Sequence, residues 1–273
     1  MVPRLADIRT LVTGSTSGIG AEIVRRLVSE GAPVVFTGRD ARRGRKVAKE
    51  TGASFVRADA TSAEDVPRSV REAVETLGGV DAVVLNAGLL HEAPLSETPD
   101  DAWDAILETN LVAPYRYTLA CLPELRRAGG GSIVAVSSDA GVWPEVAIGA
   151  YSVSKRALVM LTQMIGMEGG PSGIRANAVC PGDTAPGMVT TTAGRAPHGD
   201  PATWLLPPLG RVGTAEDVAG AVAFFVSGDS AFCNGSILLV DGGMRAAVRA
   251  TLVMNQGRHA TAPQGPAVPG QPA

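Results

Sequence analysis

Cysteine is scarce in this 273-residue chain, and the three present, Cys121, Cys180 and Cys233, are far apart and odd in number. That argues against a disulfide scaffold and a cysteine zinc site, and fits a reducing compartment. Charge of one sign is missing as well. The 24 basic and 27 acidic side chains leave a formal charge of −3, so nothing calls for the strongly basic face of a nucleic-acid binder. No uninterrupted apolar run reaches the ~18 residues that suggest a membrane span, and residues 1–12 show no long apolar stretch with a small-residue cleavage site. These absences predict a cytoplasmic protein whose partners include neither membrane nor nucleic acid. Lysine is rare too, at three against 21 arginines, a bias read as the imprint of a G+C-rich bacterial genome. No aspartate, histidine and cysteine grouping has metal-ligand spacing, and no G-x-S-x-G elbow is present. What the chain does have is 45% apolar residues for a sizeable core, with 19% charged, a balance that excludes a disordered chain.

Short apolar runs alternate with longer segments of helical period. Thr10–Thr13, Val34–Thr37, Ser54–Arg57, Ala82–Leu85, Ser132–Ser137, Ala176–Cys180 and Ser236–Val240 read as strands. Helices are predicted at about 19–30, 41–51, 62–77, 101–127, 150–169 and 214–227. Val83-Val84-Leu85 and Ile133-Val134-Ala135-Val136 are nearly continuous apolar runs, as strands buried on both faces should be. The pattern predicts an α/β fold: one doubly wound parallel sheet of about seven strands with helices on both faces. Residues 1–256 are expected to form one domain. Residues 182–213, with Pro186, Pro197, Pro201, Pro207 and Pro208 and no clear period, read as a lid or binding segment. In 257–273, proline at 263, 266, 269 and 272 suits either a polyproline II strand or an unstructured tail.

The first strand runs directly into Gly14-Ser15-Thr16-Ser17-Gly18-Ile19-Gly20, which opens a helix. Glycines at such a turn let the backbone approach a pyrophosphate, whose charge then sits at the helix N-terminus. The spacing is G-x-x-x-G-x-G rather than the common G-x-G-x-x-G. Together with Thr13 it resembles the T-G-x-x-x-G-x-G signature of the short-chain dehydrogenase/reductase family. Other pieces stand in family order: Asp59 with Ala60 after the third strand, Asn86-Ala87-Gly88 closing the fourth, then Asn110, Ser138, Tyr151 and Lys155. Pro181-Gly182 follows the sixth strand and Asp241-Gly242-Gly243 the seventh. The resemblance spans roughly residues 5–245 and implies a Rossmann-type fold with a nicotinamide cofactor. In that family the acid at Asp59 lies against the adenine ring.

Which nicotinamide depends on the end of the second strand, where an acid would accept both ribose hydroxyls of NAD. Here that position is Gly38, followed by Arg39, whose guanidinium suits a 2′-phosphate. NADP(H) is therefore expected, with NAD(H) as the alternative because Asp40 is close by.

Tyr151 and Lys155 stand at i and i+4, on one helical face. A free phenol titrates near ~10, and a neighbouring ammonium together with an oxidised nicotinamide is expected to lower that value. Tyr151 can then exchange a proton with a carbonyl or hydroxyl oxygen. The resemblance implies that Lys155 also holds the nicotinamide ribose and that Ser138, not its neighbour Ser137, hydrogen-bonds the reacting oxygen. It further implies that Asn110 holds a water beside the lysine. One departure stands out. Where the family has P-G-x-x-x-T, this chain has Pro186, so Thr184 or Asp183 is the candidate contact to the nicotinamide carboxamide. His91, Trp143, Met188 and Trp204 are candidates for the substrate pocket. The reading is a carbonyl reductase or alcohol dehydrogenase for a fairly large apolar, polyketide-like substrate. A net redox-neutral reaction on the same fold and a non-catalytic regulator are the rivals. Family resemblance implies a homo-oligomer, a tetramer or dimer, with Leu119, Leu122, Leu158 and Leu161 as candidates for its faces.

Overall fold

The computed structural model describes residues 3–185 and 207–247. Among the described residues the strands in chain order are β1 (Thr10–Val12), β2 (Val34–Gly38), β3 (Ser54–Arg57), β4 (Ala82–Leu85), β5 (Gly131–Val136), β6 (Ile174–Pro181), β7 (Thr184–Ala185), β8 (Gly213–Thr214) and β9 (Ile237–Val240). Seven of them form one parallel sheet in the order β3-β2-β1-β4-β5-β6-β9, and the two-residue strands β7 and β8 pair separately. All seven expected strands are present in that sheet; the small pair had no sequence signal.

Side-chain alternation explains why both faces are covered. Val12, Val34, Phe36, Val84, Val134 and Val136 enter one buried cluster, while Leu11, Val35, Val83, Leu85, Ile133 and Ala135 enter the other. The first cluster is completed by Ile23, Val24 and Leu27 of α1 (Gly18–Ser29) and Val218, Val222 and Phe225 of α7 (Ala215–Val226). The second takes Val66 and Val70 of α3 (Asp65–Leu77), Tyr117 and Leu125 of α5 (Ala113–Arg127) and Leu158 of α6 (Gly149–Gly169). A strand buried on both sides thus needs apolar residues at every position, which is what the near-continuous runs recorded.

α2 (Ala41–Thr51) begins at Asp40, whose carboxylate accepts from the backbone N–H groups of Arg42 and Arg43 at 2.9 Å each. The single helix expected over 101–127 is instead interrupted. α4 (Asp100–Leu107) passes into a π-helical turn, Glu108–Val112, before α5 begins. The physical reason is Pro114: it has no N–H for the carbonyl of Asn110, and its ring clashes with that carbonyl in a regular helix. Among the described residues no helix is long and apolar enough to cross a membrane.

The strand order reverses between β1 and β4, and a crevice therefore opens at their carboxyl ends. The segments that follow β1, β4, β5, β6 and β9 all meet along this edge.

Candidate active site

The glycine loop leaves β1 at Thr13 and is tied to the end of β4 by side chains. Asn86 donates through Nδ2 to the carbonyls of Thr13 (3.1 Å) and Gly14 (2.9 Å). The Thr13 hydroxyl accepts from the backbone N–H groups of Asn86 (3.1 Å) and Ala87 (3.2 Å). Gly14 has φ +66°, and a Cβ there would lie 2.5 Å from Cα of Ala87. Gly20 is as confined, with a Cβ falling 2.4 Å from Nδ2 of Asn86. So Gly14 and Gly20 let the turn close down against Asn86-Ala87-Gly88, while Gly18 opens α1. Ser17, at the N-cap, makes no side-chain capping bond, and the first turn of α1 holds no acid. Its N–H groups and positive dipole end thus suit an anion, and the cradle fits a dinucleotide pyrophosphate. Ser15 faces inward, donating to the carbonyl of Thr13 at 3.1 Å, and Ile19 packs against the core cluster under α1.

At the far end of the crevice Arg39 is exposed, and its side chain makes no hydrogen bond or ion pair among the described residues. Gly38 lies flush against Thr16, because a Cβ there would be 2.5 Å from Cγ2 of Thr16. Asp59 accepts through Oδ1 from the amide (3.0 Å) and hydroxyl (2.8 Å) of Thr61, which shapes the turn at Ala60.

Tyr151 and Lys155 project from the first turns of α6 toward the end of β5. The Lys155 ammonium lies 5.5 Å from the centre of the Tyr151 ring and donates to the carbonyl of Val136 at 3.0 Å. Lys155 is only 3% exposed, and burial lowers its pKa to about 8. Without the nicotinamide, burial governs the phenol. Burial pushes the Tyr151 hydroxyl up, opposed by its hydrogen bond with Ser138, while Asp139 and Glu145 add further upward pressure.

Ser137 and Ser138 diverge, as neighbours on a strand end should. Ser137 donates to the carbonyl of Lys155 at 2.9 Å and so braces α6. Ser138 turns to Tyr151, accepts from the amide of Ala140 (3.2 Å) and donates to Oδ1 of Asp139 (3.2 Å). Burial raises the Cys180 thiol to about 11, which keeps it an inert neighbour of this group.

Asn110 is buried in the π-helical turn and ties two segments together. Its Oδ1 accepts from the amide of Leu89 (2.7 Å), and Nδ2 donates to the carbonyl of Leu89 (2.8 Å) and to Ser154 Oγ (2.9 Å). Ser154 in turn donates to the carbonyl of Tyr151 at 2.7 Å. The amide side chain therefore locks the segment after β4 onto α6.

Pro181 ends β6, and Thr184 donates to the carbonyl of Gly182 at 2.9 Å. Trp143 is 51% exposed in the loop between Ser138 and Tyr151, which removes the core-packing reading. His91 is half-buried beside Ala93, which bridges to Ile148 of the same loop. Met188, Trp204 and residues 257–273 lie outside the described residues. Sequence reading missed Thr13 as a brace, Ser154 as the link between Asn110 and Tyr151, and the ion cluster of Asp139, Glu145 and Arg245. The first two sit inside motifs already singled out; the third has no local signal.

Comparison with known proteins adds to this geometry. The profile of a family described as enoyl-(acyl carrier protein) reductase matches residues 14–245. The chain is 37% identical over 243 residues to dehydrogenase/reductase SDR family member 4 of Bos taurus, covering 85% of each protein. To the L-fucose dehydrogenase of Bos taurus it is 36% identical over 251 residues, 89% of this chain and 91% of that protein. An uncharacterized oxidoreductase of Thermotoga maritima is 32% identical over 244 residues, 86% of this chain and 96% of that protein.

Proposed function

The chain belongs to the short-chain dehydrogenase/reductase family and is an NAD(P)-dependent oxidoreductase; from that premise we propose an NADP(H)-dependent carbonyl reductase or alcohol dehydrogenase acting on an apolar ketone or secondary alcohol. The observation that carries this reading is the convergence of Tyr151, Lys155 and Ser138 at the mouth of the glycine-loop crevice.

The preference for NADP rests on the end of β2. Gly38 has no carboxylate to offer a ribose and little space for one against Thr16. Asp40 is engaged in capping α2, which leaves Arg39 as the exposed group beside the crevice. Residues 39–50 carry six cations (Arg39, Arg42, Arg43, Arg45, Lys46 and Lys49) against Asp40 and Glu50, in a chain of net charge −3. That segregation draws a polyanionic cofactor to this end.

The residues that would hold the cofactor are the glycine loop at the pyrophosphate, Arg39 at the 2′-phosphate, Asp59 near the base, and Asn86–Gly88 with Lys155 near the nicotinamide ribose. Thr184 stands nearest in sequence to the missing threonine and is assigned the carboxamide. When bound, the reduced nicotinamide supplies hydride to the carbonyl carbon. Tyr151 gives its phenol proton to the carbonyl oxygen, so the two transfers together make the alcohol. Ser138 hydrogen-bonds the same oxygen as negative charge grows on it. Lys155 raises the acidity of the phenol once charge builds up, and Asn110 is assigned the water beside the lysine through which the lost proton is resupplied. Alcohol oxidation runs the same steps in reverse.

Trp143 and the 94% exposed Val146 on the loop after β5 give the substrate side an apolar wall, in keeping with a bulky specialised-metabolite ketone. Homo-oligomerisation is supported by exposed Tyr115 and Leu119 on α5, Val153, Met160, Met164 and Met167 on α6, and Ile237 and Leu238 on β9. Of the leucines expected on such faces, Leu158 is buried in the core and Leu119 is exposed. Loss of NADPH absorbance with trifluoroacetophenone, compared with NADH, tests the reading. Arg39→Ala should raise the KM for NADPH about ten- to a hundred-fold, the value of a charged hydrogen-bonded contact, and leave that for NADH unchanged. A wild type that prefers NADH, or a Tyr151→Phe variant with undiminished turnover, sinks it.

A further inference from the structure

Beside Ser138 lies a charge cluster that neither the sequence motifs nor the hydride transfer accounts for. Arg245, five residues beyond β9, reaches back across the edge of the sheet. Its Nε and a terminal nitrogen meet Oδ2 of Asp139 at 3.1 and 2.9 Å, and that terminal nitrogen also pairs with Glu145. Its backbone N–H donates to Oδ2 of Asp241 at 2.9 Å, whose other oxygen accepts from Gly243. The loops after β5 and β9 are therefore joined through one guanidinium. Even the turn after β6 is shaped to it, because a Cβ at Gly182 would lie 3.0 Å from Cβ of Asp241 and 3.6 Å from Oδ2 of Asp139.

The cluster matters because of the other oxygen of Asp139. Ser138 has a single hydroxyl hydrogen, and in the structure it goes to Oδ1 of Asp139 at 3.2 Å. For Ser138 to steady a developing oxyanion, that hydrogen must turn to the substrate. A buried, unneutralised carboxylate next to it would hold the hydrogen far more strongly than a ketone oxygen could draw it. The guanidinium takes the charge off Asp139 from the opposite side. Burial raises the Asp139 carboxyl, and the positive charge of Arg245 is the largest influence against that rise. Glu145, raised by burial and by the charge of Asp139, is steadied by the same guanidinium. Asp139 and Arg245 are only 11% and 15% exposed in their side chains, so solvent does not do this work.

We propose that Arg245 is a positioning residue for the reaction, holding the Asp139 carboxylate so that the Ser138 hydroxyl stays free to donate to the reacting oxygen. The inference rests on the reading of Ser138 given above, and the carrier of the effect is Asp139.

The test is a set of variants assayed for NADPH-dependent reduction of trifluoroacetophenone, with NADPH binding measured alongside by titration. Arg245→Met should lower kcat about ten- to a hundred-fold, the range for weakening one oxyanion donor, with the Kd for NADPH unchanged. Asp139→Asn in the Arg245→Met background should restore kcat to within about three-fold of wild type, since it removes the competing charge. That double variant buries no unpaired carboxylate at 139, so it tests the idea even if Arg245→Met alone folds poorly. In a Ser138→Ala background, Arg245→Met should cost nothing further, which a merely structural arginine would not satisfy. Equal losses from Arg245→Met with and without Ser138→Ala, or no rescue by Asp139→Asn, overturn the inference alone. A wild type that binds NADPH and reduces no ketone in a panel overturns the functional reading and the inference with it.

Discussion

Replacing Lys155 by methionine should abolish activity and yet stabilise the protein at neutral pH. The lysine is 3% exposed, and burial lowers its pKa from 10.5 to about 8. At 1.36 kcal/mol per unit, holding the charged amine in the fold costs about 3 kcal/mol. Its hydrogen bond to the Val136 carbonyl offsets about 1 kcal/mol of this, so methionine should gain about 2 kcal/mol. For a domain of this size that is a Tm rise of about 4–8 °C. The sign changes with pH. Below about 8 both folded and unfolded chains carry the proton and the penalty is complete. Between about 8 and 10.5 the unfolded chain binds more protons, so wild-type stability climbs with pH, while the methionine variant lacks this slope. Above 10.5 the penalty is gone and the wild type, retaining its hydrogen bond, becomes the more stable of the two by about 1 kcal/mol. Urea midpoints of both proteins from pH 6.5 to 11, about the range that brackets both titrations, would display the crossing. A methionine variant less stable than wild type at pH 7, or a gap that does not change with pH, would refute the claim that desolvation dominates at Lys155.

Ala147 gives a second stability prediction, since among the described residues it alone has a positive φ without being glycine, at 64°. Ala147→Val should cost about 1–2 kcal/mol, and Ala147→Gly should change stability by less than about 1 kcal/mol, read as urea midpoints; a tolerated valine would mean the backbone there is not held. The exposed faces of α5 and α6 predict assembly: Leu119→Glu with Met164→Glu should convert the wild-type oligomer to monomer in sedimentation velocity. A wild type that sediments as a monomer removes that part of the reading.

The motifs were legible in the sequence because the chemistry that needs them is local. The turn of Gly14 to Gly20 is a run of seven residues in which Gly14 and Gly20 each meet a close neighbour, and Tyr151 with Lys155 is a single helical turn. The strands were legible for the same kind of reason, since residues buried on two faces must be apolar throughout. The break in the helix over 101–127 had a visible cause in Pro114, but a proline near a helix start is ordinary, and only the neighbouring segment after β4 shows why the turn is kept. There Asn110 forms a three-bond brace between Leu89 and Ser154 that no sequence spacing announced.

Sequence alone determined the fold class, the family and the placing of Tyr151 and Lys155 on one helical turn, because periodicity and short spacings are properties of contiguous residues. The tertiary structure decided which groups carry charge and which way the hydroxyls turn. The phenol of Tyr151 is pushed up and the amine of Lys155 down because both are desolvated where α6 meets β5, and burial is a property of the packed chain. Arg245 reaches Asp139 across 106 positions of sequence, a distance over which no spacing rule operates: only the parallel order of the sheet, with β5, β6 and β9 side by side, brings their carboxyl ends to one point.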